Sequence, residues 1–420
     1  MTQVIQSKSI YHGLPVYPES QQGLTAIVTG ANGISGNHML RVLCESPKRW
    51  TKIYALSRRP PHGTWPSQVE HVSMDMLQPP EEIADQMEKK GVHGDYVFFF
   101  AYVQPTPPEG GSIWSAVDEL VTINTALLSN FLKGLEINRT IPKRVVLQLG
   151  AKYYGVHIGP APTPQEEQDP RVLIEPNFYY TQEDCLKEFA KKHSIGWNST
   201  LPSHIAGAVP DAAMNFCYPL AIYASIQKYL NRPLEYPSDL KAWETTQTIS
   251  SAQMNGYLSE YIALTDRAKN QIFNAADDCA FTWGKTWPKV AARFNIPWTG
   301  PDTSEDAQFF TIPFPKDPPR GFGPKGSVSL KFSLTEWAQR PEVQKAWDEL
   351  AQKYGLRKTE VKDIERVFGF LDFTLAMTHS IYLSTANIKK IGFFGFVDSV
   401  ESIFETMQGF VDLKMVPPLP

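Results

Sequence analysis

A lysine and two adjacent tyrosines have side chains that could act together as an acid. Lys152 follows a predicted strand at 143–150, and Tyr179 and Tyr180 stand at the start of a predicted helix over 181–193. A phenol can donate a proton or a hydrogen bond to a developing oxyanion, and a nearby ammonium group lowers the pKa of that phenol. Tyrosines also serve as packing residues with polar tips, and lysines as surface charges. Chemistry alone leaves both interpretations open.

Three glycines interrupt an apolar, β-branched run. Residues 24–29 have the composition of a buried parallel strand, and Gly30, Gly33 and Gly36 connect that strand to a helical segment. Gly30 permits a tight turn, Gly33 leaves room for a pyrophosphate, and Gly36 lets the helix pack closely on the strand. The N–H groups at the helix N-terminus attract phosphate. The strand, turn and helix in this order favour a dinucleotide site over a plain βα turn.

Two arginines lie at the end of the second predicted strand, where enzymes of this fold class distinguish NAD from NADP by the ribose 2′ group. A second predicted strand ends in Ser57 and is followed by Arg58 and Arg59, without the carboxylate that would bind a ribose 2′-hydroxyl. Guanidinium groups form charge-assisted bonds to phosphate, so the pair favours NADPH/NADP+ as the cofactor. The alternative is that the arginines are a solvated strand end. Asp75, after a third predicted strand at 69–74, is placed to meet the adenine edge.

The order of the elements that position these residues predicts the fold class. Later strands and helices alternate, with strands at 95–103, 143–150 and 196–202 and helices at 112–134 and 181–193. This alternation predicts an α/β fold, a doubly wound parallel sheet of the Rossmann type, over residues 20–207. Residues 208–420 are predicted to form a second, mainly helical substrate-binding lobe, from which some strands return to the sheet. Its helices are predicted at 212–230, 250–264, 283–294, 335–354 and 398–412, with a proline-rich surface excursion at 297–319.

Composition excludes several classes of protein. A formal net charge of −4 over 420 residues lacks the basic excess typical of nucleic-acid binding. The longest apolar stretch is too short to cross a bilayer, and residues 1–17 are too polar for a secretory signal. The cysteines have neither zinc nor disulfide spacing and are expected as small buried side chains at positions 44, 185, 217 and 279. The sequence predicts a cytoplasmic protein that binds a small molecule, with no metal, nucleic-acid or membrane partner; a homodimer stays open.

Several motifs together resemble one known family. They include Thr-Gly-Ala-Asn-Gly-Ile-Ser-Gly at 29–36, Ser-Arg-Arg at 57–59, Gly-Ala-Lys-Tyr-Tyr at 150–154 and, most specifically, Asn-Phe-Tyr-Tyr-x-x-Glu-Asp at 177–184. The chain resembles, over most of its length, the progesterone 5β-reductase and iridoid synthase-like enzymes, which are atypical extended short-chain dehydrogenases/reductases. In that family the last motif replaces the ordinary signature of a tyrosine followed four residues later by a lysine.

The resemblance implies a reaction. NADPH would deliver hydride to the β-carbon of an α,β-unsaturated carbonyl in a small, largely apolar substrate, with Tyr179 stabilising the enolate and Lys152 beside it. Simple carbonyl reduction is a nearby variant. A non-redox member, with bound NADP as a scaffold for isomerisation, cyclisation or ligand sensing, is the alternative. Retention of both Lys152 and Tyr179 favours the reductase, because a scaffold needs neither residue.

The resemblance also implies which residues line the site. The cofactor contacts are expected at Thr29, Gly30, Asn32, Gly33, Ile34, Ser57, Arg58, Arg59, Asp75, Ala101, Tyr102, Lys152, His204 and Ile205. The substrate contacts are expected at Tyr102, Ile158, Tyr179 and Tyr382. His204 departs from the family, which has an asparagine there beside the cofactor, and we expect its imidazole to be neutral and hydrogen-bonded rather than titrating.

Two segments are predicted to close over the substrate. Segment 153–176 is too long for a simple connection, and segment 380–396 carries bulky aromatic residues next to Gly392 and Gly395. Closure of these segments would exclude water from the enolate. The alternative is that the phenylalanines at 393, 394 and 396 belong to the core of the second lobe.

Overall fold

A computed structural model describes residues 4–106, 114–212, 214–357 and 363–420. Its strands, in chain order, are β1 (Ile5–Lys8), β2 (Tyr11–Pro15), β3 (Leu24–Thr29), β4 (Trp50–Ser57), β5 (Val69–Ser73), β6 (Tyr96–Phe99), β7 (Arg144–Gln148), β8 (Gly196–Pro202), β9 (His204–Ala206), β10 (Leu234–Glu235), β11 (Ile249–Ser251), β12 (Gln271–Ala275), β13 (Trp298–Thr299), β14 (Phe310–Pro313) and β15 (Ser327–Leu330). Its α-helices are α1 (Ile34–Cys44), α2 (Pro80–Lys90), α3 (Val117–Ile137), α4 (Phe178–His193), α5 (Cys217–Tyr229), α6 (Leu240–Glu244), α7 (Ala252–Leu264), α8 (Trp283–Phe294), α9 (Leu334–Ala338), α10 (Pro341–Tyr354), α11 (Ile364–Ala376), α12 (Ala386–Lys390) and α13 (Ser399–Asp412). Two 3₁₀ turns lie at Ala151–Tyr154 and Asp266–Ala268.

Seven parallel strands form the central sheet in the order β12–β8–β7–β6–β3–β4–β5. The central sheet starts at β3, extends outward through β4 and β5, and then continues on the other side of β3 with β6, so the winding direction reverses between β3 and β6. A reversal of this kind opens a crevice at the carboxyl ends of the strands, where ligands of such sheets bind. The predicted doubly wound α/β fold of the Rossmann type is confirmed.

Helices cover both faces of the sheet. Helices α1 and α7 pack on one face, and α2, α3 and α4 on the other. The central strand is buried on both sides: Ile27 points into one apolar cluster, while Ala26 and Val28 point into the other. A continuous apolar run, rather than an alternating one, is what such a doubly covered parallel strand requires.

A third apolar core lies between the helices of the C-terminal half, chiefly α5, α8, α10, α11 and α13. The large side chains of Trp283, Trp287 and Trp347 are fully buried there. Strand β12, however, comes from the same half of the chain and completes the sheet beside β8. The boundary between residues 207 and 208 stays a prediction.

Most predicted elements are present, with four informative differences. The strand expected over 95–103 ends at Phe99, because the next residues bend toward the glycine turn. The helix expected over 335–354 is divided into α9 and α10 at Pro341, whose ring cannot continue a helix from the preceding residues. Helix α4 starts at Phe178, earlier than expected, and α11 was not predicted at all. The first residues of the helix predicted at 112–134 lie outside the described residues.

The four cysteines correct an expectation. Only Cys217 is fully buried; Cys44 at the end of α1, Cys185 on α4 and Cys279 in the loop between β12 and α8 are partly exposed. All four thiols are free. Within the described part of the chain, no helix has the length and apolar character needed to cross a bilayer.

Candidate active site

The turn between β3 and α1 requires glycine for steric reasons. Gly30 has φ +61°, and a Cβ there would lie 2.7 Å from the carbonyl oxygen of Phe100. A Cβ on Gly36 would collide with the carbonyl of Gly30. The sequence assigned Gly36 to contact between helix and strand, whereas its closest neighbour is the turn itself. The turn is therefore bare backbone, as a pyrophosphate site needs to be.

The N-terminus of α1 faces this turn. Gly33 is its N-cap, no side chain caps it, and its described first turn carries no carboxylate. Ser35 in that turn accepts a 2.8 Å hydrogen bond from the side-chain amide of Gln148 at the end of β7. Asn32 and Ile34 are partly exposed beside it. An uncapped N-terminus with no acidic residue suits an anionic group.

Thr29 acts on the neighbouring loop. Its fully buried hydroxyl oxygen accepts hydrogen bonds from the backbone N–H groups of Phe100 (3.1 Å) and Ala101 (3.3 Å). Asn124 on α3 holds the same loop further along, because its side chain both accepts from and donates to the backbone of Val103 at 3.0 Å. These bonds position Ala101 and Tyr102, two predicted contact residues, at the edge of the crevice.

The predicted phosphate-binding arginines lie at the end of β4. Both Arg58 and Arg59 are exposed. Arg59 lies 3.2 Å from the carboxylate of Asp211, which also pairs with Arg366 on α11 at 2.7 Å. Sequence reasoning did not foresee this carboxylate, because Asp211 is about 150 residues away in the chain. A 2′-phosphate at Arg59 would have to compete with it.

Two further predicted cofactor residues make local bonds. The Ser57 hydroxyl donates a 2.7 Å hydrogen bond to the carbonyl of Arg59, which stabilises the turn that carries the two arginines. The Asp75 carboxylate accepts from the N–H of Leu77 at 3.0 Å and is partly exposed. Their contacts with a cofactor stay predictions.

Asn177 joins the two elements that carry the predicted catalytic residues. As N-cap of α4, its side-chain oxygen accepts from the N–H of Tyr179 at 3.1 Å. Its side-chain amide donates to the carbonyl of Lys152 at 3.1 Å. One side chain thus satisfies a free donor of the helix and an acceptor of the 3₁₀ turn after β7. Asn177 therefore holds the backbones of Lys152 and Tyr179 close together although the two residues are far apart in the sequence.

The phenol of Tyr179 lies directly over Gly150. A Cβ on Gly150 would be 2.8 Å from the Tyr179 hydroxyl oxygen. The backbone of Gly150 is extended, so glycine is needed there for space and not for its conformation. The hydroxyl makes no hydrogen bond to any described residue, and burial raises the pKa of Tyr179 above its usual range. The sequence predicted the opposite direction from the lysine charge; burial dominates in the structure, so the phenol is a neutral, unengaged donor.

Tyr180 differs from Tyr179 because its hydroxyl already forms hydrogen bonds within the protein. Its hydroxyl donates to the carbonyl of Tyr153 at 2.5 Å and accepts from the N–H of Val172 at 2.8 Å. Its ring packs edge-on against Tyr153, with centroids 4.9 Å apart. Because both functions of this hydroxyl are already used, Tyr180 holds segment 153–176 in place.

Lys152 is buried at the carboxyl end of β7, with its side chain turned toward Phe178. Its Nζ lies 6.0 Å from the centre of the Phe178 ring and makes no hydrogen bond to the described residues. Burial lowers the pKa of Lys152 to about 8, and the charge of Glu175 opposes that shift. Lys152 therefore holds its proton less strongly than an exposed lysine does.

His157 and Glu175 form a buried pair that the sequence did not indicate. His157 Nε2 lies 2.6 Å from a Glu175 oxygen, with side chains only 5% and 12% exposed. Burial lowers the pKa of His157 to about 4. Burial would raise the pKa of Glu175, but the His157 bond and the Lys152 charge lower it. Both residues lie in what the sequence predicted as an irregular segment, where spacing carries no signal.

Three phenylalanines of the C-terminal half, Phe216, Phe370 and Phe373, lie around His204, and Trp114 packs on Phe370 and Phe373; we call these four side chains the aromatic cluster. His204 is 8% exposed and burial lowers its pKa to about 4, so its ring is neutral as expected. The expected hydrogen bond to the ring is not found among the described residues. The cluster was missed because α11 was not predicted and Trp114 stands alone in its segment.

The segment 153–176 is anchored. Arg171 pairs with Asp184 at 2.6 and 2.8 Å and with Glu183 at 2.6 Å, which gives the two acidic residues of the tyrosine motif a structural role. Gln165 is fully buried, and its N–H donates to the carbonyl of Tyr382 at 3.0 Å. The two predicted closing segments thus bond to each other through Gln165 and Tyr382.

The last part of the second segment lies elsewhere. Phe393 is 2% exposed and packs on Tyr261 of α7, with ring centroids 5.5 Å apart. Phe396 pairs with His12 of the N-terminal hairpin. This core covers the sheet face opposite α4, so residues 392–396 do not cover Tyr179, and the closing role predicted for them is wrong. Substrate contacts by Ile158, which is buried beside His157, and by half-exposed Tyr382 stay predictions.

Comparison with known proteins decides the family. A family model described as the PRISE-like Rossmann-fold domain matches residues 26–312. The chain belongs to this family. The resemblance inferred from the sequence motifs is thereby confirmed.

Individual relatives of this PRISE-like protein match nearly its whole length. A 3-oxo-Delta(4,5)-steroid 5-beta-reductase of Arabidopsis thaliana is 28% identical over 405 residues, which cover 93% of each chain. An (S)-8-oxocitronellyl enol synthase of Catharanthus roseus is 26% identical over 401 residues, 93% of this chain and 92% of that one. The solved structure of an epimerase from Methanothermobacter thermautotrophicus superposes with a TM-score of 0.58 at 13% identity, covering 94% of each chain, and shows the fold alone.

Proposed function

We propose that this protein is an NADPH-dependent reductase that adds hydrogen across the C=C bond of an α,β-unsaturated carbonyl compound. The observation that carries the proposal is the hydroxyl of Tyr179, a neutral donor with no partner among the described residues, held over Gly150, two residues before buried Lys152 in the chain. The adjacent Tyr180 hydroxyl is fully used. An unengaged donor at the carboxyl end of a central strand suits an oxyanion that forms during reaction.

The described residues fit NADPH. The glycine turn and the uncapped N-terminus of α1 would hold the pyrophosphate, and Arg58 with Arg59 would hold the 2′-phosphate. The chain has no carboxylate of its own at the end of β4 for a free 2′-hydroxyl, and the Asp211 carboxylate that reaches Arg59 from a distant segment is also paired with Arg366. Lys152, with its free ammonium, would bind the ribose hydroxyls.

The chemistry divides between cofactor and protein. When bound, NADPH supplies a hydride to the β-carbon of the substrate. Tyr179 donates a hydrogen bond to the carbonyl oxygen as the C=C electrons move onto it, and it stabilises the resulting enolate. The α-carbon then takes a proton from solvent, which restores the carbonyl and completes the two-electron reduction. The names of the relatives, a reductase of a 3-oxo-Δ4,5-steroid and a synthase of an enol, support an enolate step.

NADPH consumption tests the proposal. We expect absorbance at 340 nm to fall when small enones or enals are added, and deuteride from labelled NADPH to appear at the β-carbon. Tyr179→Phe should lose about a hundredfold or more in turnover, and Tyr180→Phe far less. Label at the carbonyl carbon would instead indicate carbonyl reduction. If NADPH binds tightly but no enone oxidises it, the non-redox alternative replaces this proposal.

A further inference from the structure

The carboxylate of Asp211 lies between two arginines from distant parts of the chain. Its Oδ2 is 3.2 Å from Nη2 of Arg59, which follows β4, and its Oδ1 is 2.7 Å from Nη2 of Arg366 on α11. Both contacts are hydrogen bonds as well as ion pairs. Asp211 thus connects the turn that carries the predicted phosphate-binding arginines with a helix of the C-terminal half.

The loop that carries Asp211 is fixed beside helix α1. Gly207, at the start of this loop, lies so close to α1 that a Cβ there would be 2.9 Å from a ring carbon of His38 and 3.0 Å from the side chain of Ile34. At the other end, Asn215 donates to the carbonyl of Gly207 at 2.9 Å and accepts from the first two N–H groups of α5 at 3.1 Å. Both ends of the loop are therefore held against the helix whose N-terminus faces the glycine turn.

Arg366 approaches Asp211 from the opposite side. It lies in the first turn of α11, where the N-cap residue Asp363 accepts from the backbone N–H of Arg366 at 3.3 Å. Helix α11 in turn packs on α5 and α9. The guanidinium group therefore extends from a helix that is anchored in the C-terminal core.

The three charged side chains differ in exposure. The side chain of Arg59 is 70% exposed, whereas those of Asp211 and Arg366 are 39% and 38% exposed. The contact to Arg59 is also the longer of the two, so Asp211 is held more firmly by Arg366. Exposed ion pairs contribute little free energy, and a phosphate with up to about two negative charges attracts a guanidinium more strongly than a carboxylate does. A phosphate can therefore displace Asp211 from Arg59.

Asp211 opposes a phosphate at Arg59 in two ways. Its carboxylate occupies an N–H donor that the phosphate would use, and its negative charge repels the phosphate after the exchange. Arg366 acts in the opposite direction, because it neutralises the same carboxylate and draws it away from Arg59. A ribose 2′-hydroxyl carries no charge, so these effects depend on the phosphate.

We propose that Asp211 and Arg366 together set how strongly this protein selects NADPH over NADH. Asp211 competes with the 2′-phosphate for Arg59, and Arg366 limits that competition by binding the same carboxylate. The proposal rests on the proposed function for the assignment of the 2′-phosphate to Arg58 and Arg59. It adds two specificity-determining residues from later parts of the chain to the arginine pair.

Two nucleotides without a nicotinamide test the proposal. 2′,5′-ADP and 5′-AMP differ only by the 2′-phosphate, so the ratio of their dissociation constants in titration calorimetry isolates the phosphate contact. Asp211→Asn should raise the preference for 2′,5′-ADP about threefold, and Arg366→Met should lower it by about the same factor, as the strength of exposed ion pairs implies. Both variants should bind 5′-AMP as the wild type does, which reports an intact adenine site.

A double variant tests whether Arg366 acts through Asp211. In the Asp211→Asn background, Arg366→Met should leave the preference unchanged, because the carboxylate that Arg366 binds is already absent. If Arg366→Met lowers the preference equally in both backgrounds, its charge acts directly on the phosphate and the proposal is refuted. Asp85→Asn, which neutralises an exposed carboxylate on α2, controls for net charge and should leave the preference unchanged.

The outcomes separate this proposal from the reductase function. If no enone oxidises NADPH but the preference shifts with Asp211 and Arg366 as expected, the reductase function fails and the selection role stands. If Asp211→Asn leaves the preference unchanged or lowers it, Asp211 does not compete with the phosphate, and the selection role is refuted whether or not enones are reduced. Equal binding of the two nucleotides by the wild type would refute both the assignment of the phosphate to the arginine pair and the selection role.

Discussion

Gly150→Ala should impair the function of the Tyr179 hydroxyl although Tyr179 itself is not replaced. The new Cβ would lie 2.8 Å from the phenol oxygen, whereas ordinary contacts begin at 3.4 Å. The hydroxyl must therefore retreat by about 0.6 Å, because the strand end that carries residue 150 is fixed in the sheet. Gly150 has an extended backbone, so alanine introduces no conformational strain. The whole effect should pass through the phenol.

The expected losses in turnover and in stability can both be given a range. Misplacing a reacting group by about 1 Å can cost about a hundredfold in rate, so a shift of this size should lower turnover by roughly tenfold to a hundredfold. Overpacking at a filled site should also cost about 1–3 kcal/mol of stability. Turnover on a small enone at saturating NADPH measures the first effect, and thermal unfolding measures the second.

A double variant, Gly150→Ala with Tyr179→Phe, tests whether the effect of the alanine passes through the phenol. In Tyr179→Phe the nearest ring atoms are 3.4 and 3.5 Å from the Gly150 Cβ position, which is ordinary contact. Adding Gly150→Ala to Tyr179→Phe should therefore change neither turnover nor melting temperature appreciably. If the losses instead multiply, or if Gly150→Ala alone behaves as wild type, the phenol does not lie over Gly150 in the working enzyme.

Three further perturbations follow from the site. Asn177→Ala should lower the free energy of unfolding by about 0.5–2 kcal/mol in chemical denaturation, because a helix cap is lost, and should lower turnover as well. Activity should fall as pH rises through about 8, where Lys152 loses its proton, and Glu175→Gln should move that limb of the kcat/KM profile to lower pH because the carboxylate favours the ammonium. NADPH should bind at least tenfold more tightly than NADH, about 1.4 kcal/mol, and Arg58→Ala with Arg59→Ala should abolish the difference in titration calorimetry.

Matched controls accompany these variants. Asn177→Asp keeps the cap acceptor and should recover stability but not full activity, since the donor to the Lys152 carbonyl is lost. Glu166→Gln removes a carboxylate of the same segment that is not among the charges acting on Lys152, and its pH profile should match the wild type. An unmoved profile in Glu175→Gln, or unchanged NADH affinity relative to NADPH in the arginine variant, would contradict the respective assignment.

Local chemistry in the sequence was sufficient for the fold class and the cofactor turn. Runs of β-branched residues, glycine spacing and the βα alternation act over a few residues, so β3 and β8 were predicted residue for residue. The glycines at 30 and 36 proved necessary because backbone meets backbone there. The family resemblance, and not local chemistry, singled out Tyr179, and the sequence did not indicate that the hydroxyl of Tyr180 is already fully bonded.

Tertiary structure alone decided the surroundings of these residues. The approach of Glu175 to Lys152, of Asp211 to Arg59 and of α11 to His204 depends on how distant segments pack, and no local pattern encodes it. Burial is the common physical reason. It raises the pKa of Tyr179, against the direction inferred from charge alone, because removing a group from water depends on every neighbour and not on the residue itself.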